Sequence, residues 1–197
     1  MTAIDLTTLI PRCHEAAKAK GFWDVLPNPG QMLMLAIGEL GEAQEADRKG
    51  RRVTCNAVHF APMLAGMPHP TDGARALFET TVKDTVEDEL ADTYIRLCDY
   101  AGGFGIEVAY WENERSSLLK FCDPESVPTN LGEAMLPIVE DIIKVNCGSK
   151  TRSAMALSGA LLKLELLCAA RGIDLATHID LKLAYNATRP VRHGKAY

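Results

Sequence analysis

The sequence has few of the features that mark secreted, membrane-spanning or nucleic-acid-binding proteins. Its six cysteines form no CxxC pair, and no run of basic residues offsets the net charge of -5. Because a non-specific nucleic-acid binder carries a basic stripe, we expect no nucleic-acid partner. The first ten residues lack the basic start and long apolar stretch of a signal peptide, and no window holds the roughly 18 uninterrupted apolar residues of a membrane span. We expect a cytoplasmic protein with reduced cysteines and no membrane contact.

Aromatic residues are also scarce, at 6%, while the hydrophobic fraction of 47% suffices for one compact domain over residues 1–197. Ala, Leu, Glu and Lys dominate stretches in which apolar residues recur every three or four positions, which indicates an all-α fold. The pattern predicts helices at about 3–20, 31–49, 77–104, 107–121, 131–146, 151–171 and 174–188, followed by a polar, extended tail from about residue 189.

Residues 50–76 interrupt the helical pattern with several prolines and glycines. A loop of this length is unusual in a compact domain, which favours a functional or mobile segment. It contains Cys55, His59 and His69, residue types that bind zinc, but their spacing fits no standard zinc site.

Two stretches of the chain resemble each other at a constant offset of 67 residues. Residues 90–108 read LADTYIRLCDYAGGFGIEV, and residues 157–175 read LSGALLKLELLCAARGIDL. Helical periodicity alone accounts for several apolar matches. The shared ending, in which Gly105 and Gly172 are each followed by Ile, an acid and an aliphatic residue, is less easily coincidental. The similarity therefore indicates a degenerate internal duplication.

Two pairs of carboxylates lie on neighbouring predicted helices. Glu39 and Glu42 form an ExxE pair, and Glu89 and Asp92 form an ExxD pair. Residues three apart lie on one helix face, so each pair presents two carboxylates side by side. If the two helices pack together, four carboxylates converge, and hard oxygen ligands of this kind favour Mg²⁺ or Mn²⁺.

A solvated acidic surface is the alternative, because acidic residues are plentiful in both segments. Apolar neighbours argue against it: Leu40 and Ala43 flank the first pair, and Leu90 and Ile95 flank the second. The carboxylates therefore lie beside the apolar stripes of their helices. From the pattern alone, both interpretations remain open.

The segments around the carboxylate pairs, residues 37–46 and 87–96, resemble the MazG-like all-α nucleoside triphosphate pyrophosphohydrolases, which include dimeric dUTPases and dCTP pyrophosphatases. In that family an ExxE helix and an ExxD helix bind Mg²⁺ within a four-helix bundle. Residues 14–23 and 181–195 also resemble segments of family members. The chain departs from the family pattern in the long 50–76 loop and in about 65 residues inserted after Ile106.

This resemblance implies Mg²⁺-dependent hydrolysis of a nucleoside triphosphate, with a deoxynucleotide favoured, to the monophosphate and pyrophosphate. Glu39, Glu42, Glu89 and Asp92 would hold the Mg²⁺, for which Mn²⁺ could substitute. Glu39 and Glu42 would be the catalytic groups, with Glu42 orienting or deprotonating the attacking water.

The resemblance also implies residues that bind the rest of the nucleotide. Lys182, Asn186 and Arg189 share one helical face and would contact the phosphates as part of a C-terminal segment, residues 176–197. A surface basic patch at a helix C-terminus is the alternative. Trp23 and His14 would bind the base, although Trp23 would equally suit the edge of the core and His14 the surface.

Family members commonly dimerise to complete the bundle, and some fuse two copies. The 67-residue offset places Gly159 where the first copy has Asp92. We therefore expect a single-chain pseudo-dimer with a catalytic half, residues 1–106, and a degenerate half, residues 107–175, that has lost the metal. The sequence leaves open whether the chain also forms a homodimer.

A non-catalytic nucleotide-binding regulator on the same fold is the main alternative function. A helical partner-binding module with merely superficial acids is a third. The enzyme is favoured because all four carboxylates and the helical face with Lys182, Asn186 and Arg189 are intact. A non-catalytic member of the family would be expected to have lost them.

Overall fold

The computed structural model describes residues 4–53, 72–108, 123–146 and 149–194, and these contain helices and turns but no strand. The all-α prediction is therefore confirmed. The helices are α1 (Leu6–Ala19), α2 (Pro29–Arg48), α3 (Asp72–Thr81), α4 (Val86–Phe104), α5 (Leu131–Val145), α6 (Lys150–Ala170) and α7 (Leu175–Thr188). The predicted helix at 107–121 lies outside the described residues apart from its first two positions, as do Cys55, His59 and His69.

Helix α4 is the central element of the fold. It packs most extensively against α2, then against α1 and α7, while α5 and α6 form a second pair. Contacts of α2 with α5 and of α4 with α6 join the two pairs. Tyr94 of α4 and Leu157 and Leu161 of α6 are among the largest fully buried side chains, so one continuous hydrophobic core fills the space between the pairs.

Most helices begin at a residue whose side chain accepts a hydrogen bond from a backbone N–H of the first turn. Such a cap stabilises a helix by about 1 kcal/mol and fixes where it starts. The capping residues are Asp5, Asn28, Thr85, Asn130, Ser149 and Asp174.

The predicted helix at 77–104 is two helices in the structure. Helix α3 begins at Asp72, within the stretch predicted to be irregular, and ends at Thr81. The chain then turns through Asp84, which has a φ of 58°, and Thr85 caps α4 by accepting a hydrogen bond from Asp88 N at 3.3 Å. The break places Glu89 in the first turn of α4, where the helix dipole favours negative charge.

The C-terminal tail, predicted to be extended from about residue 189, is partly helical in the structure. Residues Val191–Gly194 form a 3-10 turn that packs against the end of α1. Arg192 donates a backbone hydrogen bond to Lys20 O at 2.8 Å and a side-chain hydrogen bond to Gly21 O at 3.2 Å. These contacts bring the C-terminal segment to the side of the molecule that carries Trp23.

Helix α6 is the one described helix that is long and apolar enough to cross a membrane by length and composition. More than half of its apolar window, 56%, is buried inside the protein. Its Glu165 accepts a hydrogen bond from the buried Tyr94 hydroxyl of α4 at 2.6 Å. Helix α6 is therefore part of the core of the fold.

The cysteines that the structure describes are free and buried, as predicted. They are Cys13, Cys98 and Cys168. Burial raises the pKa of the Cys168 thiol, so this group is a core residue and not a nucleophile.

Candidate functional site

Three of the four predicted metal ligands come together between α2 and α4. Glu39, Glu89 and Asp92 each offer a carboxylate oxygen, and these oxygens lie within 4.8 Å of one another. Glu39 belongs to the buried stripe of α2, and Glu89 to that of α4, so their carboxylates are held at the helix–helix contact. The prediction that the acids lie beside the apolar stripes of their helices is confirmed for Glu39 and Glu89, which are both buried.

Glu42, the fourth predicted ligand, lies one helical turn after Glu39 but is exposed. It lines the same cavity as Glu39, Glu89 and Asp92. The fourth carboxylate is thus at the open side of the cluster, where a bound ligand would meet it.

The half-buried Arg96 and the buried Lys182 partly neutralise the cluster. The Arg96 guanidinium contacts Glu39 Oε1 through Nε at 2.7 Å and Nη2 at 2.6 Å. Lys182 Nζ lies 2.8 Å from Asp88 Oδ2 and 3.4 Å from Asp92 Oδ2. Burial alone would lower the pKa of Lys182, but the carboxylates of Asp92 and Asp88 outweigh it and raise the pKa.

Negative charge remains in the cluster despite these cations. Burial raises the pKa of Glu89 to about 9, with the neighbouring acids Asp88 and Glu39 acting in the same direction and Lys182 opposing them. Burial also raises the pKa of Glu39, with which Glu89 shares a hydrogen bond. A pKa of this size favours the protonated form of Glu89 in the metal-free cluster at neutral pH.

Asp88, next to Glu89 in the sequence, is the most deeply buried acid near the cluster, at 1% exposure. Its Oδ2 accepts hydrogen bonds from Lys182 Nζ and from Asp84 N at 3.1 Å. Burial raises its pKa to about 6. Asp88 therefore anchors the ammonium group of Lys182 beside Asp92.

A cavity of about 760 Å³ opens beside the carboxylates. This volume lies within the usual range for small-molecule sites, roughly 300–1,000 Å³. The predicted phosphate ligands Lys182, Asn186 and Arg189 all line it, as does Trp23. The cavity is thus lined by predicted metal, phosphate and base ligands, which come from three helices, α2, α4 and α7, and from the segments that follow α1 and α7.

The predicted phosphate ligands differ in accessibility. Lys182 is 5% exposed and is held by its two carboxylates, whereas Asn186 and Arg189 are half-buried at the C-terminal end of α7. Lys20 Nζ donates hydrogen bonds to Ala187 O at 2.7 Å and Arg189 O at 2.6 Å, which fixes this end of α7 against α1.

Trp23 and His14, the predicted base-binding pair, both contact Asp99. Trp23 Nε1 donates a hydrogen bond to Asp99 Oδ1 at 2.9 Å, and His14 Nδ1 lies 2.9 Å from the same oxygen. The two rings meet edge to face, with centroids 4.7 Å apart. Trp23 and Asp99 line the cavity, whereas His14 is not among the described residues that do so.

Two glycines of α4 make room for these rings. A Cβ at Gly102 would lie 2.7 Å from the Cβ of His14, and a Cβ at Gly103 would overlap the six-membered ring of Trp23. The close approach of the indole to the helix backbone therefore depends on Gly103. This close approach directs Trp23 Nε1 towards Asp99, which lies one turn before Gly103 on α4.

Sequence reasoning did not single out Arg96, Asp99 or Asp88. The signal for two of them was present, because Asp92, Arg96 and Asp99 recur at i, i+4 and i+7 and share one face of α4. That face lines the cavity for two turns. Asp88 has no comparable signal, since only the packing of α7 brings Lys182 to it.

The donor set fits a hard divalent cation. The groups that converge are carboxylates, with no described Cys or His among them. Burial is the main cause of the raised pKa of Glu89, followed by the neighbouring acids, and a bound dication would offset both by stabilising the ionised carboxylates.

Comparison of the chain with protein-family models, with curated proteins and with solved structures gave no match. The function is therefore inferred from the geometry of the site.

Proposed function

We propose that the protein is a Mg²⁺-dependent nucleoside triphosphate pyrophosphohydrolase of the MazG-like kind, acting on a deoxynucleotide. The observation that carries the proposal is the convergence of Glu39, Glu89 and Asp92 at one wall of a cavity also lined by cations and an indole. A triphosphate needs a cation and positive side chains, and a base needs a flat apolar surface. This one cavity offers all of them.

Glu39, Glu89 and Asp92 would hold the Mg²⁺, with Glu42 completing the set from the open side; Mn²⁺ is an expected substitute. The ion would neutralise phosphate charge and lower the pKa of a bound water. Metal binding would favour the ionised form of Glu89, against the protonated form that its raised pKa favours in the metal-free protein. Glu42, exposed to the cavity, is positioned to orient a water or accept its proton.

The remaining positive groups would stabilise the charge that develops on the phosphates. Arg189 and Asn186 stand at the accessible end of α7 and offer donors to phosphate oxygens. Lys182 is held by Asp88, so its role is to set the charge and position of Asp92 as much as to contact a phosphate. Phosphoryl chemistry of this kind depends on positioning and charge, without a covalent intermediate.

The proposed pseudo-dimer is supported by matching features of the pairs α2/α4 and α5/α6. Asn28 and Asn130, 102 positions apart, cap α2 and α5 through hydrogen bonds of 3.0 Å to Gln31 N and Glu133 N. At the other ends, Ile106 N donates to Ala101 O at 2.9 Å and Ile173 N to Cys168 O at 2.8 Å.

The matching glycines at those ends, Gly105 and Gly172, have φ values of 61° and 66°. The N-terminus of α2 is therefore capped in the same way as that of α5, and the C-terminus of α4 ends in the same turn as that of α6. Fusion of two copies of one unit accounts for this agreement.

The second pair lacks the proposed metal site. Asp141, 102 positions after Glu39, forms an ion pair with Lys163, which is 67 positions after Arg96. Lys144 stands at the position of Glu42 and lies 3.7 Å from Asp141. Gly159 replaces Asp92, and a Cβ there would be 2.5 Å from Asp141 Oδ2. We therefore expect one metal site per chain.

Asp92→Asn and Glu42→Gln test the site directly. Each substitution keeps the shape of the side chain and removes its charge, so we expect kcat/KM for Mg²⁺-dependent pyrophosphate release to fall by about 100-fold or more, since even groups outside the ligand shell contribute 10–100-fold. The matched control is Glu45→Gln, because Glu45 lies on the same helix but pairs only with the exposed Arg48 and Lys49.

Activity retained in the two site variants would place the metal elsewhere. The rival function, a nucleotide-binding regulator, predicts that Mg²⁺ and nucleotide bind to the natural protein without any pyrophosphate appearing. Binding of the nucleotide is therefore measured alongside its hydrolysis.

A further inference from the structure

The cavity has a second carboxylate region, formed by Asp99, that the proposed chemistry does not use. Asp99 lies two turns after Asp92 on α4, and its side chain keeps 12% exposure while lining the cavity. At about 1.5 Å of rise per residue, the two carboxylates are about 10 Å apart along the helix. This separation suits a nucleotide whose phosphates lie at Asp92 and whose base lies at Asp99.

The position of Asp99 is fixed by both aromatic neighbours. Trp23 Nε1 donates a hydrogen bond to Asp99 Oδ1 at 2.9 Å, and the His14 tautomer that is protonated at Nδ1 donates to the same oxygen, also at 2.9 Å. Trp23 in turn is held against Gly103, and His14 against Gly102. Since a carboxylate has about four acceptor positions, two of them remain on Oδ2.

Several of the residues that line the cavity together with Asp99 have small side chains. Cys13, Ala16 and Ala17, from the helix that carries His14, also line the cavity and have small side chains. Trp23 contributes a flat aromatic surface, on which a base can stack. A buried carboxylate in such surroundings gains most from a ligand that donates a hydrogen bond to it.

We infer that Asp99 selects the base of the nucleotide, favouring cytosine and adenine, which carry an amino group at C4 or C6, over their keto counterparts uracil and hypoxanthine. This inference rests on the proposed function for the orientation of the nucleotide. The amino group donates to Asp99 Oδ2. A keto oxygen at the same place is an acceptor, so its lone pairs repel the negative carboxylate and Oδ2 receives no hydrogen bond from the base.

The test uses the non-hydrolysable α,β-imido analogues of dCTP and dUTP, titrated with Mg²⁺ present by calorimetry. We expect the wild-type protein to bind the cytosine analogue at least about 10-fold more tightly, since sites built to pair with a substrate group reject analogues that lack it. In Asp99→Asn, the amide can donate to a keto oxygen, so the ratio should fall at least about 10-fold, chiefly through tighter binding of the uracil analogue.

Asp180→Asn is the matched control, because Asp180 is a surface acid paired with Arg12 away from the cavity. It should leave the ratio unchanged. Equal affinity of the wild-type protein for both analogues would overturn the inference, whether or not the Asp99 variant folds. A ratio that survives Asp99→Asn in a folded protein would do the same.

Failure of this inference is distinguishable from failure of the proposed function, because binding of the analogues requires no hydrolysis. Selective binding without pyrophosphate release from natural nucleotides would reject the enzyme and support Asp99 as the base-selecting group. Pyrophosphate release without discrimination between the bases would reject Asp99 alone. If neither analogue binds, the inference about Asp99 is rejected, and pyrophosphate release from the other deoxynucleotides decides the proposed function.

Discussion

Glu89 shows how the protein tolerates five acidic side chains around one point. Arg96 balances Glu39, and Lys182 balances Asp88 and Asp92, but Glu89 shares a hydrogen bond with Glu39. A buried carboxylate that lacks sufficient positive charge retains its proton. The metal-free protein is therefore expected to be sensitive to alkaline pH.

This sensitivity has a defined sign. The pKa of Glu89 is raised from 4.5 to about 9, so its contribution to stability is complete below about 4.5 and is lost as the pH rises toward about 9. In the metal-free protein, the free energy of unfolding should fall between pH 7 and 9, by at most about 1.4 kcal/mol per pH unit. Urea unfolding at several pH values measures it.

Glu89→Gln mimics the protonated side chain and should remove that slope, together with stabilisation by Mg²⁺. A metal-free wild-type protein equally stable at pH 7 and pH 9 would show that Glu89 is already ionised. The range from pH 7 to 9 also avoids the titration of the buried His178. Because its pKa is lowered, His178 makes the free energy of unfolding rise with pH, but only below about pH 6.5.

At this scale the sequence predicted the acids better than their surroundings. Glu39, Glu89 and Asp92 were predictable because ExxE and ExxD spacings place side chains on one helix face. Arg96 and Asp99 were not singled out, because only the packed structure shows that this face of α4 follows the cavity for two further turns. The burial of Lys182 depends on how α7 packs against α4, and no local pattern records that contact.

Helix α4 is the element on which the site depends most. It carries two proposed metal ligands in its first two turns, Arg96 and Asp99 in the middle, and the glycines beneath His14 and Trp23 at its end. The sequence did not predict that α4 begins at Val86, because residues 77–104 have the composition of one continuous helix. The capping signal was nevertheless present: Thr85 is followed three positions later by Asp88, a pattern that starts helices.

Gly103→Ala should displace Trp23. The added Cβ overlaps the indole ring, so the ring must move and lose its hydrogen bond to Asp99. Overpacking of this kind costs about 1–3 kcal/mol, measurable as a lower free energy of unfolding. Affinity for any nucleotide that stacks on Trp23 should fall as well.

Gly41→Ala is the control for this helix substitution. A Cβ at Gly41 meets nothing within 4 Å, and Ala is the better helix former, so this variant should be more stable by about 0.5–1 kcal/mol. If both alanine variants gain stability alike, the Trp23–Gly103 contact does not hold the ring in solution.

The whole molecule combines two helix pairs that begin and end alike but differ in chemistry. The α2/α4 pair keeps the carboxylates, while α5/α6 replaces them with Lys144 and Gly159 and pairs Asp141 with Lys163. Tyr94 and Glu165 join the pairs through a buried hydrogen bond. The second pair thus supplies packing surface for the first, as the proposed duplication requires of a copy that has lost the metal site.

The extent of this agreement was only partly visible in the sequence. The 67-residue offset between α4 and α6 was detectable because Gly105 and Gly172 mark both helix ends. The agreement between α2 and α5 was not, because Asn28 and Asn130 are common capping residues and the intervening positions share little beyond apolar spacing. The correspondence between α2 and α5 is therefore seen in the backbone geometry and not in the side chains.

The most direct test of the central claim is ³¹P NMR of a deoxynucleoside triphosphate panel incubated with the protein and Mg²⁺. The account predicts equal amounts of nucleoside monophosphate and pyrophosphate, no orthophosphate, and no reaction once the metal is chelated. Intact nucleotides with both Mg²⁺ and Mn²⁺, or diphosphate with orthophosphate instead, would contradict it.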